Sequence, residues 1–165
     1  MARRRLTRTF VDSGVLIIAA KGSARASLTA LSILDDPTRE FVTSDLVRLE
    51  VIPYARYFHK ETEVAFFEAF FASVRHTVRS SRNLTAAAEA EAVQTGMQAM
   101  DALHIAAAKA AKADEFITTE KSTKPFFRVT VLVVLAAQER ERLRRTGERF
   151  NANWVRRKIR CFGKP

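Results

Sequence analysis

The strongest constraint on the fold is a rhythm: short β-prone runs alternate with helical patterns along most of the chain. Residues 9–12, 40–43, 76–79, 116–119 and 128–134 are weighted toward β-branched and aromatic side chains and read as strands. Residues 15–21, 24–34, 44–58, 61–74, 84–95 and 97–112 place apolar side chains at three- and four-residue spacings and read as helices. A strand that returns through a helix pairs in parallel with its predecessor, and a parallel sheet buries both of its faces. The expected class is α/β, with three α/β/α layers around a short central parallel sheet.

Local signals fit this plan. Gly14 eases the tight junction between the first strand and its helix, and Asp35, Asp36 and Pro37 close the second helix. Ser44 with Asp45 offers an N-cap to the next helix, in which Pro53 removes a backbone donor and predicts a kink or change of direction. Gly96 separates two alanine-rich helices. Phe66, Phe67, Phe70 and Phe71 sit at helical spacing, which suits core or dimer contact better than base stacking.

With 165 residues and 47% hydrophobic content the chain has the size of one domain with a real core. The longest apolar run, 131–137, is far short of the roughly 20 residues that span a bilayer. Asp12, Ser13 and Gly14 break the apolar stretch after the basic start, so no cleavable signal is read. One cysteine, Cys161, rules out an internal disulfide, and with three scattered histidines it furnishes no closed zinc site. A soluble, cytoplasmic protein without a membrane partner is expected.

The net charge of +10 is concentrated at the ends. Arg3, Arg4, Arg5 and Arg8 carry +4 and residues 138–165 carry +7, which leaves −1 for residues 9–137. Basic ends attract polyanions by counterion release, and they also merely solubilise a chain. The expected division is a domain over 1–137, with a basic arm at 1–8, followed by a basic extension at 138–165. Glu139, Glu141, Arg142 and Arg145 predict a solvated helix at the start of that extension.

Four carboxylates stand out. On a helix, Asp101 has Met97, His104 and Ile105 as its neighbours, so it lies on or beside an apolar stripe. Glu50 has Leu46, Val47, Pro53 and Tyr54 in the same relation. Taken singly, each reads slightly better as the partner of a buried arginine or as an acid at the edge of the stripe. Asp12 ends the first strand and Glu120 follows the fourth, where open parallel sheets place their ligands. Four acids converging there would repel one another, and a divalent cation would neutralise them. Oxygen ligands without suitable cysteines or histidine pairs select Mg²⁺ or Mn²⁺.

The segments TFVDSGVLIIAA, TSDLVRLEVIP and MDALHIAAAKAAKADEFITTEKSTKPF, with a closing VTVL strand, together resemble a PIN domain over roughly residues 9–135. The resemblance implies that Asp12, Glu50, Asp101 and Glu120 are the acidic site residues, with Ser13 and Thr118 at the supporting hydroxyl positions. It further implies a metal-dependent ribonuclease similar to VapC-type toxins, partnered by an antitoxin and paired as a homodimer. Glu120 departs from the pattern, which usually has Asp, and the extra methylene bears on metal occupancy. That departure and the basic tail motivate an alternative, a catalytically weakened RNA-binding module. A phospho-acceptor receiver fits poorly, since the first strand offers a single acid and no lysine follows the last strand until Lys158.

Weaker signals complete the reading. His104 lies one turn after Asp101 and suits a packed, hydrogen-bonded histidine better than a proton-transfer group. Lys21 and Lys121 lie just beyond site segments and are candidates for phosphate contact. Trp154, beside Arg156, Arg157 and Lys158, is the best candidate for stacking on single-stranded RNA, although covering apolar surface suits it better.

Overall fold

Residues 5–21, 25–121, 123–129 and 132–135 are described in a computed structural model of the chain. The solvated helix expected from Gln138, the extension that carries Trp154, Arg156 and Arg157, and the arm's first four residues lie outside the described residues. The elements run β1 (Thr7–Val11), α1 (Ser13–Ala20), α2 (Arg25–Leu34), β2 (Arg39–Ser44), α3 (Asp45–Tyr57) and α4 (Glu61–Ser73), then β3 (His76–Val78) and α5 (Arg82–Thr95). After these come α6 (Ala99–Ala110), β4 (Glu115–Thr118), a 3-10 turn (Pro125–Arg128) and β5 (Leu132–Leu135).

All four strand pairings are parallel, and the order across the sheet is β3-β2-β1-β4-β5. The expected α/β fold with a central parallel sheet is what forms. Alternation along the strands divides the layers. Phe10 and Phe116 turn to one face, their rings stacked at 5.4 Å, and Phe10 meets His104 of α6 there. Phe41 turns to the other face and meets Phe70 of α4 at 6.2 Å. Helices α1 to α4 pack together on that second face, while α5 pairs with α6 on the first. Phe10, Val11, Val42, Phe116 and Ile117 are fully buried between the layers, as two-sided burial of a parallel sheet requires.

Phe66, Phe67 and Phe70 belong to this core. Ser44 caps α3 by accepting from the Val47 N–H at 3.3 Å, as its position predicts, and α3 continues through the exposed Pro53 to Tyr57. Gly96, at φ 74°, takes the left-handed conformation that ends α5 and lets α6 begin afresh. One boundary differs from expectation. Arg128, expected to open the last strand, instead ends a 3-10 turn that begins at Pro125, and β5 spans Leu132–Leu135. Arg128 donates to the Thr95 carbonyl at 3.1 Å, which fastens this turn to the end of α5.

At the N-terminal end of the strands a buried charge network spans three elements. Arg39 donates through Nε to Glu115 at 2.7 Å and through Nη1 to Asp36 at 2.7 Å, and Thr9 donates to the same Glu115 oxygen at 2.6 Å. One buried guanidinium is shared by two buried carboxylates, so each carboxylate has a cation in contact.

Candidate active site

The chain proceeds from β1 to one side of the sheet and then crosses to β4 on the other, so the switch point lies between the C-terminal ends of β1 and β4. Asp12 stands there, 7% exposed, with its backbone N–H bonded to the Ile117 carbonyl. It holds the N-cap position of α1 yet makes no side-chain cap bond. Its carboxylate accepts instead from the Thr118 hydroxyl at 2.7 Å and, weakly, from Ser13 at 3.4 Å. The crossing is tight: a Cβ on Gly14 would lie 2.5 Å from the hydroxyl of the exposed Thr119, so any larger residue there requires that side chain to turn away.

Glu50 reaches in from α3 and is half-buried. The helix turns Val47 inward but leaves Pro53 and Tyr54 exposed, so Glu50 lies on the margin of the buried face, not in its middle. Its Oε2 is 2.8 Å from Nε2 of His104, which is 2% exposed. This pair was hidden in the sequence, where the two residues are 54 apart; the buried Ile105 and Met97 around Asp101 were the nearest signal.

Asp101 occupies the first turn of α6, where the helix dipole favours an anion, and it is half-buried. Glu120 is held by its backbone, whose N–H donates to the Thr118 hydroxyl at 3.1 Å. Its carboxylate lies 3.5 Å from Lys124, a cation that the sequence reading passed over although it follows Glu120 by four residues.

The electrostatics tie these acids together. Burial raises the Asp12 carboxyl above its ordinary range; the Thr118 hydrogen bond opposes this and the charge of Glu50 adds to it. Burial also raises Asp101, with Lys124 opposing and the charges of Glu120 and Glu50 adding. Burial pushes Glu50 upward too and is the largest single influence, but the hydrogen bond and charge of His104 together with the Ser13 hydrogen bond outweigh it, and the net shift is downward. Asp12 and Asp101 therefore both sense Glu50, and Asp101 senses Glu120 as well.

The donors facing the switch point are carboxylates, hydroxyls and one imidazole, a set suited to a hard divalent cation. As the side chains stand, no three His, Cys, Asp or Glu groups among the described residues close to metal-holding geometry. Glu50, Asp101 and Glu120 are each partly exposed, whereas Asp12 is buried. Lys121, next to Glu120, is exposed. Lys21 caps the far end of α1, roughly 14 Å of helix from Asp12, so the structure does not bring it to the acids. No helix of the described residues is long and apolar enough to cross a membrane.

A family model for the PIN domain matches residues 9–130, which spans both strand ends and all four acids. Among solved structures, a toxin-antitoxin complex from Klebsiella pneumoniae superposes with a TM-score of 0.60 at 21% identity, covering 78% of this chain and 97% of that one. VapBC2 from Rickettsia felis, bound to a DNA fragment from its promoter, gives 0.59 at 17% identity, with 78% and 98% covered. DNA-bound VapBC from Salmonella typhimurium gives 0.59 at 15% identity, with 79% and 99% covered. No curated protein matches the chain in sequence. These likenesses show the fold, and the match over residues 9–130 shows the family: the chain belongs to the PIN domain family.

Proposed function

We propose that the chain is a metal-dependent endoribonuclease that hydrolyses RNA phosphodiester bonds, acting as the toxin of a toxin–antitoxin pair in the cytoplasm. The observation that carries this reading is the electrostatic coupling of Asp12, Glu50, Asp101 and Glu120 around the strand ends of a PIN fold. Acids raised by burial and by neighbouring negative charge, as Asp12 and Asp101 are, gain most from an external cation.

In this reading Asp12 and Asp101 hold Mg²⁺ or Mn²⁺, and Glu50 and Glu120 serve as further ligands or orient the attacking water. Such an ion supplies water activation and charge neutralisation on the phosphodiester. Thr118 spends its one proton on Asp12 and fixes that carboxylate's rotation, while Ser13 stands between Asp12 and Glu50. Lys121 and, from the basic extension, Trp154, Arg156 and Arg157 bind RNA outside the reacting centre; Lys21 is the more distant candidate. The body over 1–137 carries the chemistry, and 138–165 forms a separate basic extension. The similar Klebsiella pneumoniae structure is a toxin-antitoxin complex, which supports a protein antitoxin as partner. A homodimer completes the expected assembly.

The test is cleavage of single-stranded RNA by purified protein with Mg²⁺ or Mn²⁺. Loss of cleavage is expected in excess EDTA and in an Asp12→Asn, Asp101→Asn double variant; undiminished cleavage in either would sink the proposal. A second reading, an RNA-binding module with weakened catalysis, draws on Glu120, whose carboxylate lies near Lys124. Multiple turnover with Mn²⁺ that depends on Asp12 would exclude it.

A further inference from the structure

The His104 ring is enclosed by α6 and the sheet, with Phe10 6.4 Å away, and only its Nε2 edge meets a polar group. That group is the Glu50 carboxylate at 2.8 Å. Nδ1 is buried and has no hydrogen-bond partner among the described residues. A neutral imidazole carries one N–H, and the two tautomers are not equivalent here. A proton on Nδ1 would leave a buried donor unpaired and press the Nε2 lone pair against a carboxylate oxygen. A proton on Nε2 satisfies Glu50 and leaves only an unpaired lone pair, the lesser penalty.

The bond also joins distant parts of the fold. Helix α3 packs with α1 and α4 on one face of the sheet and α6 on the other, so the contact reaches over the C-terminal edge of the strands. Glu50 has few other means of staying there. The Ser13 hydroxyl has one proton to divide between Asp12 and Glu50, and Thr118 gives its own to Asp12. Glu50 is a long side chain on the margin of its helix, free to turn toward solvent unless held.

We propose that His104 is a positioning residue: its Nε2–H holds Oε2 of Glu50, so that the other carboxylate oxygen is the one presented to a bound divalent cation. This rests on the metal-dependent reading above. It assigns His104 no contact with substrate. A partner of this kind fixes the orientation of a ligand, and its loss typically costs about 10–100-fold in metal affinity or activity.

The test compares three proteins by Mn²⁺ calorimetry and by RNA cleavage. His104→Leu keeps the bulk and removes the donor; His104→Gln returns an amide N–H to the Nε2 position. Leu should weaken Mn²⁺ binding and lower kcat by about 10–100-fold with KM for RNA changed less than about twofold, and Gln should recover most of the loss. If His104→Leu fails to fold, His104→Asn, whose amide is too short to reach Glu50, takes its place. Long-range ¹H–¹⁵N spectra of the wild type should place the proton on Nε2. Equal behaviour of Leu and Gln, an effect confined to KM, or an Nε2 that carries no proton would overturn the proposal. A wild type that binds Mn²⁺ but cuts no RNA would defeat the ribonuclease reading, and the Mn²⁺ affinities of the three proteins would still decide the role of His104.

Discussion

At the N-terminal end of the sheet, Glu115 and Asp36 share the buried Arg39, whereas at the C-terminal end Asp12 is just as buried and its nearest partners are hydroxyls. Both ends gather carboxylates where burial penalises charge. At the first, the protein supplies the compensating cation from its own sequence. At the second it supplies a half-exposed lysine, Lys124, and a histidine that serves Glu50. The difference separates a clasp that stabilises the fold from a set of acids that the fold holds in place at some cost.

The comparison is broken most severely by exchanging roles. Arg39→Met should destabilise the protein by about 3–5 kcal/mol in urea unfolding, because Glu115 is left buried and unpaired. Asp12→Asn should do the reverse, leaving the thermal midpoint unchanged or raised while cutting RNA cleavage by more than about 100-fold, beyond the usual loss for an outer partner. An Asp12→Asn protein as unstable as Arg39→Met would show that both ends are structural.

Divalent cations should distinguish the ends next. Mn²⁺ at 100 times its Kd should stabilise the wild type by about 2.7 kcal/mol in thermal melts, and should leave the Asp12→Asn, Asp101→Asn variant where it was. Proton uptake gives a smaller effect. Asp12 and Asp101 have folded-state values raised above 3.8, so the native state binds protons that the unfolded chain has released. In EDTA, stability contributed by these two groups should rise as pH falls through their folded values toward 3.8. Glu50 acts oppositely, its contribution present above 4.5 and lost as pH falls through its lowered value. Melts of the wild type against the double Asn variant across this window isolate the first term; equal pH slopes would contradict it. The smallest effect belongs to the surface: Arg5→Ala, which removes the exposed pair with Asp114, should change stability by less than about 1 kcal/mol.

Much of this architecture was legible because it rests on local pattern. β-branched and aromatic side chains marked β1, β2 and β4 as strands, and Ser44 and Gly96 announced a helix start and a helix end. The end of the sheet was less legible. Val129 and Val131 carry on the β-prone composition upstream of β5, but Pro125 commits the chain to a 3-10 turn first. The acids could be placed on apolar stripes or at strand ends from spacing alone, whereas their partners could not. Glu50 with His104, and Arg39 with Glu115, join residues far apart in the chain, and such pairs are chosen by the packing of layers. Arg39 and Glu115 also sit at strand starts, where a charged residue ordinarily reads as solvated.

The Thr118 hydroxyl has a bearing on the unusual Glu120. It gives its proton to Asp12 and takes one from the backbone of residue 120, so the main chain at that point is anchored to the first acid. A pinned backbone cannot retreat to absorb a longer side chain. The added methylene, a bond of about 1.5 Å, is therefore taken up by the side chain, whose carboxylate lies 3.5 Å from Lys124. Position 120 thus works like a set-screw: its main chain is fixed to Asp12 through Thr118, and the side chain alone sets where its carboxylate stands.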